Sequence, residues 1–230
     1  TRPDLAPRIA RDGEGELLGW DFVDNDRQPY AAASAGTALG VEATARLLLA
    51  EAGRARLMPL RIKHDPLTLG RMVVVAGQSP ARILLLAAPG SARREEWAAF
   101  AEAASHFKQV MIVVPAEPVA AGAESYPTAL GLPTVLTVAA SDAAGLVSPA
   151  QARADLAAAV QGQATDAETA PAVVAATRVA ALSARLVARD ATLAGAALKQ
   201  RILALTAPLP AVIGSHALRW LPAPDAVERR

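Results

Sequence analysis

Four short apolar runs constrain this chain more than any other feature: Met72–Ala76 (MVVVA), Ile83–Leu86 (ILLL), Val110–Val114 (VMIVV) and Thr134–Ala139 (TVLTVA). A strand with one wet face alternates apolar and polar residues, whereas a run without alternation is buried on both faces, as in a parallel sheet covered by helices. Leu57–Ile62 (LMPLRI) is a further strand candidate, provided Pro59 sits where no ladder donor is needed. Between the runs, Thr37–Ala52, Arg93–Phe107, Ala170–Ala188 and Ala194–Leu205 place apolar residues at three- and four-residue intervals, the spacing of helices with one buried face.

Alternation of strand and helix predicts an α/β fold, a doubly wound parallel sheet with helices on both faces. Pro171 suits the first turn of its helix, where a missing N–H removes no bond, and Ser91 is a candidate N-cap for the helix containing Trp97. The expected organisation is one α/β domain over residues 1–206, followed by a Pro-rich C-terminal extension, 207–230, with Pro208, Pro210, Pro222 and Pro224. The Ala-rich stretches have helical apolar faces, and no internal repeat is present.

Composition removes several function classes. With 23 Lys+Arg against 22 Asp+Glu, the net charge of +1 argues against a nucleic-acid binder. The absence of Cys excludes disulfides, thiolate metal sites and a cysteine nucleophile. The longest apolar runs fall far short of the roughly 20 residues that cross a bilayer, so no membrane span is expected. The chain opens at Thr1 inside a polar stretch, as a fragment or processed product would, and any targeting signal is expected upstream.

One phrase is far more specific than composition. Gly19-Trp20-Asp21-Phe22-Val23-Asp24-Asn25-Asp26 follows Arg2-Pro3-Asp4-Leu5 and precedes a small-residue helix start, Ala35-Gly36-Thr37-Ala38-Leu39-Gly40. Further on come Arg56-Leu57-Met58-Pro59-Leu60, Ser125–Val138 (SYPTALGLPTVLTV), Ala154-Asp155-Leu156-Ala157-Ala158 and Asp190–Ala204. In this order they resemble the subtilisin-like serine proteases, the subtilases (peptidase S8 family), whose members carry "HPDL", "GWDFVDND", "HGTHVAG", "YPAALGLPNVITVGA", "VDLAAPG" and a "NPTLTAAELKQRIL" helix. The resemblance runs over nearly the whole chain and implies that family's three-layer α/β sandwich.

What the resemblance implies about the site is a loss. Ala35 stands at the position of the general-base His. Anchoring "GTSMAAPHVAG" on Pro171 in Thr165–Ala175 puts Ala167 at the nucleophile, with Asp166, Glu168 and Thr169 as polar neighbours lacking a paired base. Pro118 takes the place of the oxyanion Asn, or Glu117 does if the alignment slips by one, and neither offers a side-chain amide. Ala88, Pro89 and Gly90 replace the substrate-pairing "SLG", and Pro89 removes a backbone donor where an extended peptide would add. The family's catalytic Asp lies on a central strand preceding "HPDL", which places it upstream of Thr1. The sheet is therefore expected either to receive that strand from other sequence or to contain a gap.

Removing triad members costs on the order of 10⁶ in kcat, so the implied reading is a catalytically inactive subtilase relative with a binding or scaffolding role toward a peptide or protein. The alternative is a serine endopeptidase with a relocated triad, using Ser34, Ser148 or Ser183. A decayed fragment, marginally stable for want of its strand, is a third reading. His64, His106 and His216 read as surface or capping residues. Asp21, Asp24 and Asp26 could be oxygen ligands of a cation, but they lack the glycine and terminal Glu of a calcium loop and read as a structural turn. No cofactor or metal is expected, and an extracellular or periplasmic location follows from the resemblance alone.

Overall fold

In a computed structural model, the structure describes residues 4–29, 37–63, 65–87, 93–120, 123–151, 153–160, 170–209 and 218–222. The strands are β1 (Trp20–Asp21), β2 (Leu60–Arg61), β3 (Ile83–Leu85), β4 (Met111–Pro115), β5 (Val135–Ser141), β6 (Leu156–Ala159), β7 (Ala207–Pro208) and β8 (Arg219–Leu221). The helices are α1 (Thr37–Ala52), α2 (Pro66–Gln78), α3 (Ala98–His106), α4 (Pro171–Arg189) and α5 (Gly195–Ala204). This is an α/β fold in three layers.

The main sheet has six strands in the order β3-β4-β5-β6-β8-β7, parallel throughout except for the antiparallel pair β7 and β8. β4 is buried at every residue, as its unbroken apolar run requires. Its two faces feed different cores. Ile112 and Val114 pack with Leu84, Leu86, Trp97 and Phe100 under α2 and α3, while Met111 and Val113 pack with Leu136, Val179 and Ile202 under α4 and α5. The Trp97 and Phe100 rings meet edge to face, centroids 5.0 Å apart.

One expectation fails. Met72–Ala76, read as a strand, lies inside α2. Local signals outweigh its β-branched composition. Asp65 caps the helix by accepting the Thr68 N–H at 2.9 Å, Pro66 occupies the first turn, and the buried positions Leu69, Met72, Val73 and Ala76 recur at helical spacing. Val74 and Val75 are only half-buried, which a strand covered on both faces would not allow. The helix expected around Trp97 begins as a 3-10 turn over Arg94–Trp97, and its candidate cap Ser91 lies outside the described residues.

The chain beyond Thr206 is partly built into the sheet. β8 lies between β6 and β7, and the Trp220 indole N–H donates to Ser141 Oγ at 3.2 Å. α4 is long and apolar enough to cross a membrane by composition, but most of it is buried against β3, β4, β5 and α1. Among the described residues it is the only helix of that kind.

β1 and β2 form a separate two-stranded parallel sheet, with Trp20 opposite Leu60 and Asp21 opposite Arg61. Pro59 is accommodated because only its carbonyl is used, accepting the Trp20 N–H at 3.1 Å. Among the described residues the sheet is therefore interrupted between β2 and β3. Trp20, Leu60 and Ile62 nevertheless pack against the same core cluster as Leu84 and Leu86.

Candidate functional site

In open parallel sheets, ligands gather where the chain leaves the carboxyl ends of strands. The positions singled out by resemblance all fall on such connections. The segment holding Ala35 joins β1 to α1, Ala88–Gly90 follow β3, Pro118 follows β4, and the segment holding Ala167 joins β6 to α4. Ala35, Ala88, Pro89, Gly90 and Ala167 lie outside the described residues, as do Ser34, His64, His216, Asp166, Glu168 and Thr169.

Pro118 is described and exposed, three residues beyond β4, and Glu117 beside it is half-buried. The loop leaves the sheet in order: the Ala116 N–H still donates to Val138 O at 2.8 Å, and the Val119 N–H donates to Ala150 O at 2.9 Å. Gln151 Nε2 holds the same turn by donating to Ala116 O at 2.9 Å.

The structure does not bring the described alternative nucleophiles to a base. Ser183 is fully buried in α4, its Oγ donating to Val179 O at 2.6 Å, an ordinary back-bond along the helix. Ser148 is exposed in the loop before Gln151, and its carbonyl accepts the Gln151 N–H. His106 is exposed at the end of α3 with its ring against Phe107. No contact joins His106 to Ser148 or Ser183 among the described residues.

The Asp21-Asp24-Asp26 turn is internally tied. Asp21 Oδ1 accepts the N–H groups of Val23 (2.7 Å) and Asp24 (3.0 Å), while Arg61 Nη1 donates to Asp21 Oδ2 at 2.7 Å and Asp24 Oδ2 at 2.6 Å. Burial pushes the Asp21 carboxyl up, but the Asp24 N–H, the Arg61 guanidinium and the Val23 N–H together outweigh it. The net result lies below the ordinary Asp value. A guanidinium occupies the place a cation would take, and among the described residues no cluster of His, Asp and Glu is arranged to hold a metal.

Sequence reasoning missed a partly buried polar network between β5, the entry to β6 and α5. Thr137 Oγ1 lies 3.0 Å from Asp155 Oδ2, which also accepts the Thr137 N–H at 2.9 Å. The Lys199 ammonium stands 3.4 Å from the same oxygen and donates to Val135 O, and Thr128 Oγ1 lies 2.9 Å from Thr137 Oγ1. The only sequence signal was a lone Asp at the entrance to an apolar strand. A second network places Arg178 against Ala159 O (2.7 Å) and Glu51 Oε1 (3.2 Å), with Arg185 Nη1 donating to Glu51 O at 2.8 Å. It pins α4 to β6 and to the end of α1, beside a shallow hollow lined by Leu182, Leu221 and Pro222.

No protein-family profile matches the chain, and no curated protein matches it by sequence. Solved structures do. A cold adapted subtilisin-like serine proteinase is 14% identical, with a TM-score of 0.66 over 90% of this chain and 81% of that one. A protease from Pseudoalteromonas arctica PAMC 21717 is 16% identical, with a TM-score of 0.57 over 78% of this chain and 64% of that one. Fervidolysin from Fervidobacterium pennivorans, a keratinolytic enzyme related to subtilisin, is 18% identical, with a TM-score of 0.52 over 78% and 33%. At such identities the likeness establishes the fold: a parallel sheet flanked by helices, arranged as in subtilisin-like proteases.

Proposed function

We propose that this chain is a subtilase-fold protein that binds a peptide or protein partner without cleaving it. The observation that carries this reading is chemical. The chain positions that the resemblance assigns to base, nucleophile and oxyanion donor hold Ala35, Ala167 and Pro118, on connections leaving the carboxyl ends of β1, β6 and β4. A methyl group neither attacks a carbonyl nor accepts a proton, and proline has no donor for an oxyanion. The described serines support the same reading, since Ser183 is sealed in a helix and Ser148 has no described base beside it.

The test is a fluorophosphonate probe applied to the purified chain, with intact-mass readout. No adduct is the expected result. Stoichiometric adduct at any serine, Ser34 included, would replace this reading with a serine endopeptidase whose catalytic residues have moved.

A further inference from the structure

α4 lies mainly over β3, β4, β5 and β6, and a hollow is left where it meets the neighbouring β8. The floor is Ala158 near the end of β6 and its register partner Leu221 on β8, followed by Pro222. One face of α4 makes the wall. Arg178, Leu182 and Arg185 stand four and then three residues apart, the spacing that brings side chains together along a helix. Two guanidiniums thus border a hollow whose other surfaces are aliphatic.

A guanidinium is seldom buried in a helix that packs on a sheet, yet Arg178 is 8% exposed. Its Nη1 donates to Ala159 O at 2.7 Å, and its Nε stands 3.2 Å from Glu51 Oε1 without the alignment of a hydrogen bond. No hydrogen bond engages Arg178 Nη2 among the described residues. Arg185 is steadied by the same residue of α1, its Nη1 donating to Glu51 O at 2.8 Å. Glu51 therefore fixes both side chains before any ligand arrives, which lowers the ordering cost of binding one. Two guanidiniums against one carboxylate give these three side chains a net charge of +1, held where water is partly excluded and a further negative charge is worth more than at an open surface.

We infer that this hollow is a binding site for a small monocarboxylate with a short branched aliphatic body. Planar guanidinium groups match the planar carboxylate, to which they donate parallel N–H bonds. A single negative charge balances the site, whereas the Glu51 carboxylate beside it repels a second one and so disfavours dianions such as sulfate. The space enclosed is about that of one water-sized group, so the carboxylate sits inside and the aliphatic body lies at the mouth against Leu182, Leu221 and Pro222. The inference goes beyond the peptide-binding reading and stands whether or not the chain cleaves peptides.

The test is an NMR titration of the intact chain with isovalerate at neutral pH and constant ionic strength, following the Nε–H signals of Arg178 and Arg185 and the methyl signals of Leu182 and Leu221. Isovaleramide, of the same shape but uncharged, and sulfate are the controls. The four residues are expected to shift together and saturably in the millimolar range, with each control at least about tenfold weaker. Arg185→Gln is expected to raise the half-saturating isovalerate concentration at least about fivefold, while the core methyls of Val113 and Leu136 report that the variant is folded. Equal binding of isovaleramide overturns the proposal by showing that the guanidiniums are idle. Equal or tighter binding of sulfate overturns it by reducing the site to unspecific charge, and so does the absence of saturable shifts or unchanged binding in folded Arg185→Gln. Should that variant not fold, the two controls on the unaltered chain decide alone.

Discussion

Arg61 on β2 and the buried Asp21 on β1 are direct register partners, and their side chains meet at 2.7 Å on the same face of the two-stranded sheet. Asp21 is 1% exposed, and among the described residues its charge is sustained by the Arg61 guanidinium and two turn N–H groups. Arg61→Ala leaves a buried carboxylate one partner short. Hydrogen bonds to charged groups contribute about 1.5–3 kcal/mol each, so the variant loses stability in that range, read as a lower urea midpoint with an unchanged slope. A loss under about 0.5 kcal/mol would mean that the pair behaves as an exposed one.

Acid sensitivity follows from the same carboxylate. Asp21 and Asp65 both titrate below the ordinary Asp value in the folded chain. Asp21 does so because its hydrogen bonds outweigh burial, and Asp65 because it accepts the Thr68 N–H at the start of α2. A depressed folded value means that the unfolded chain binds protons first as pH falls. Their stabilisation is complete above the ordinary Asp range and disappears as pH drops through the folded values. Urea midpoints therefore fall from about pH 5 downward, and the fall is shallower in Asp21→Asn, which starts from a lower midpoint at neutral pH.

Much of the fold was legible because local and tertiary signals agree. The runs at Ile83, Val110 and Thr134 became β3, β4 and β5, since an unbroken apolar strand has no stable place except between two helix layers. Met72–Ala76 misled because its five residues satisfy both periods, and the deciding signal, Asp65-Pro66 as cap and first turn, lies outside the run. The candidate site was legible only through the resemblance, which assigns Ala35, Ala167 and Pro118 to its positions; their mutual geometry cannot be read from sequence. The Thr137-Asp155-Lys199 network was illegible because Thr137 and Asp155 lie 18 residues apart in sequence and Lys199 lies 64 residues from the Val135 whose carbonyl it binds, and only the packing of α5 on β5 brings them together.

Glycine positions separate backbone strain from crowding. Gly195 opens α5 at φ +47°, and a Cβ there would lie 1.8 Å from the Lys108 carbonyl oxygen. Gly131 has a similar φ of +61° but open space around it. Gly131→Ala therefore pays only the left-handed conformation, about 1–2 kcal/mol. Gly195→Ala adds a collision with main chain that a rotamer change cannot relieve, and loses about 3 kcal/mol or more. Chemical denaturation of the two variants side by side checks the order; equal losses would show that the α5 start shifts freely away from Lys108.

The buried Lys199 provides the sharpest test of whether the Thr137-Asp155 group is structural. Lys199 is 9% exposed and joins α5 to Val135 O and Asp155, so Lys199→Met removes one partner and leaves the carboxylate beside Thr137. Asp155 keeps about a quarter of its side chain exposed, so losing the ammonium leaves its carboxylate only partly desolvated, a smaller penalty than for a fully buried pair. Lys199→Met, which also removes the donor to Val135 O, is thus expected to lose about 1–3 kcal/mol, and Lys199→Met with Asp155→Asn to recover part of it. The double variant keeps an amide that still accepts the Thr137 N–H, so β5 and β6 stay in register. Purely additive losses in this cycle would show that Lys199 acts through its aliphatic stem on the β5 face, and that the ammonium contributes nothing to holding α5 in place.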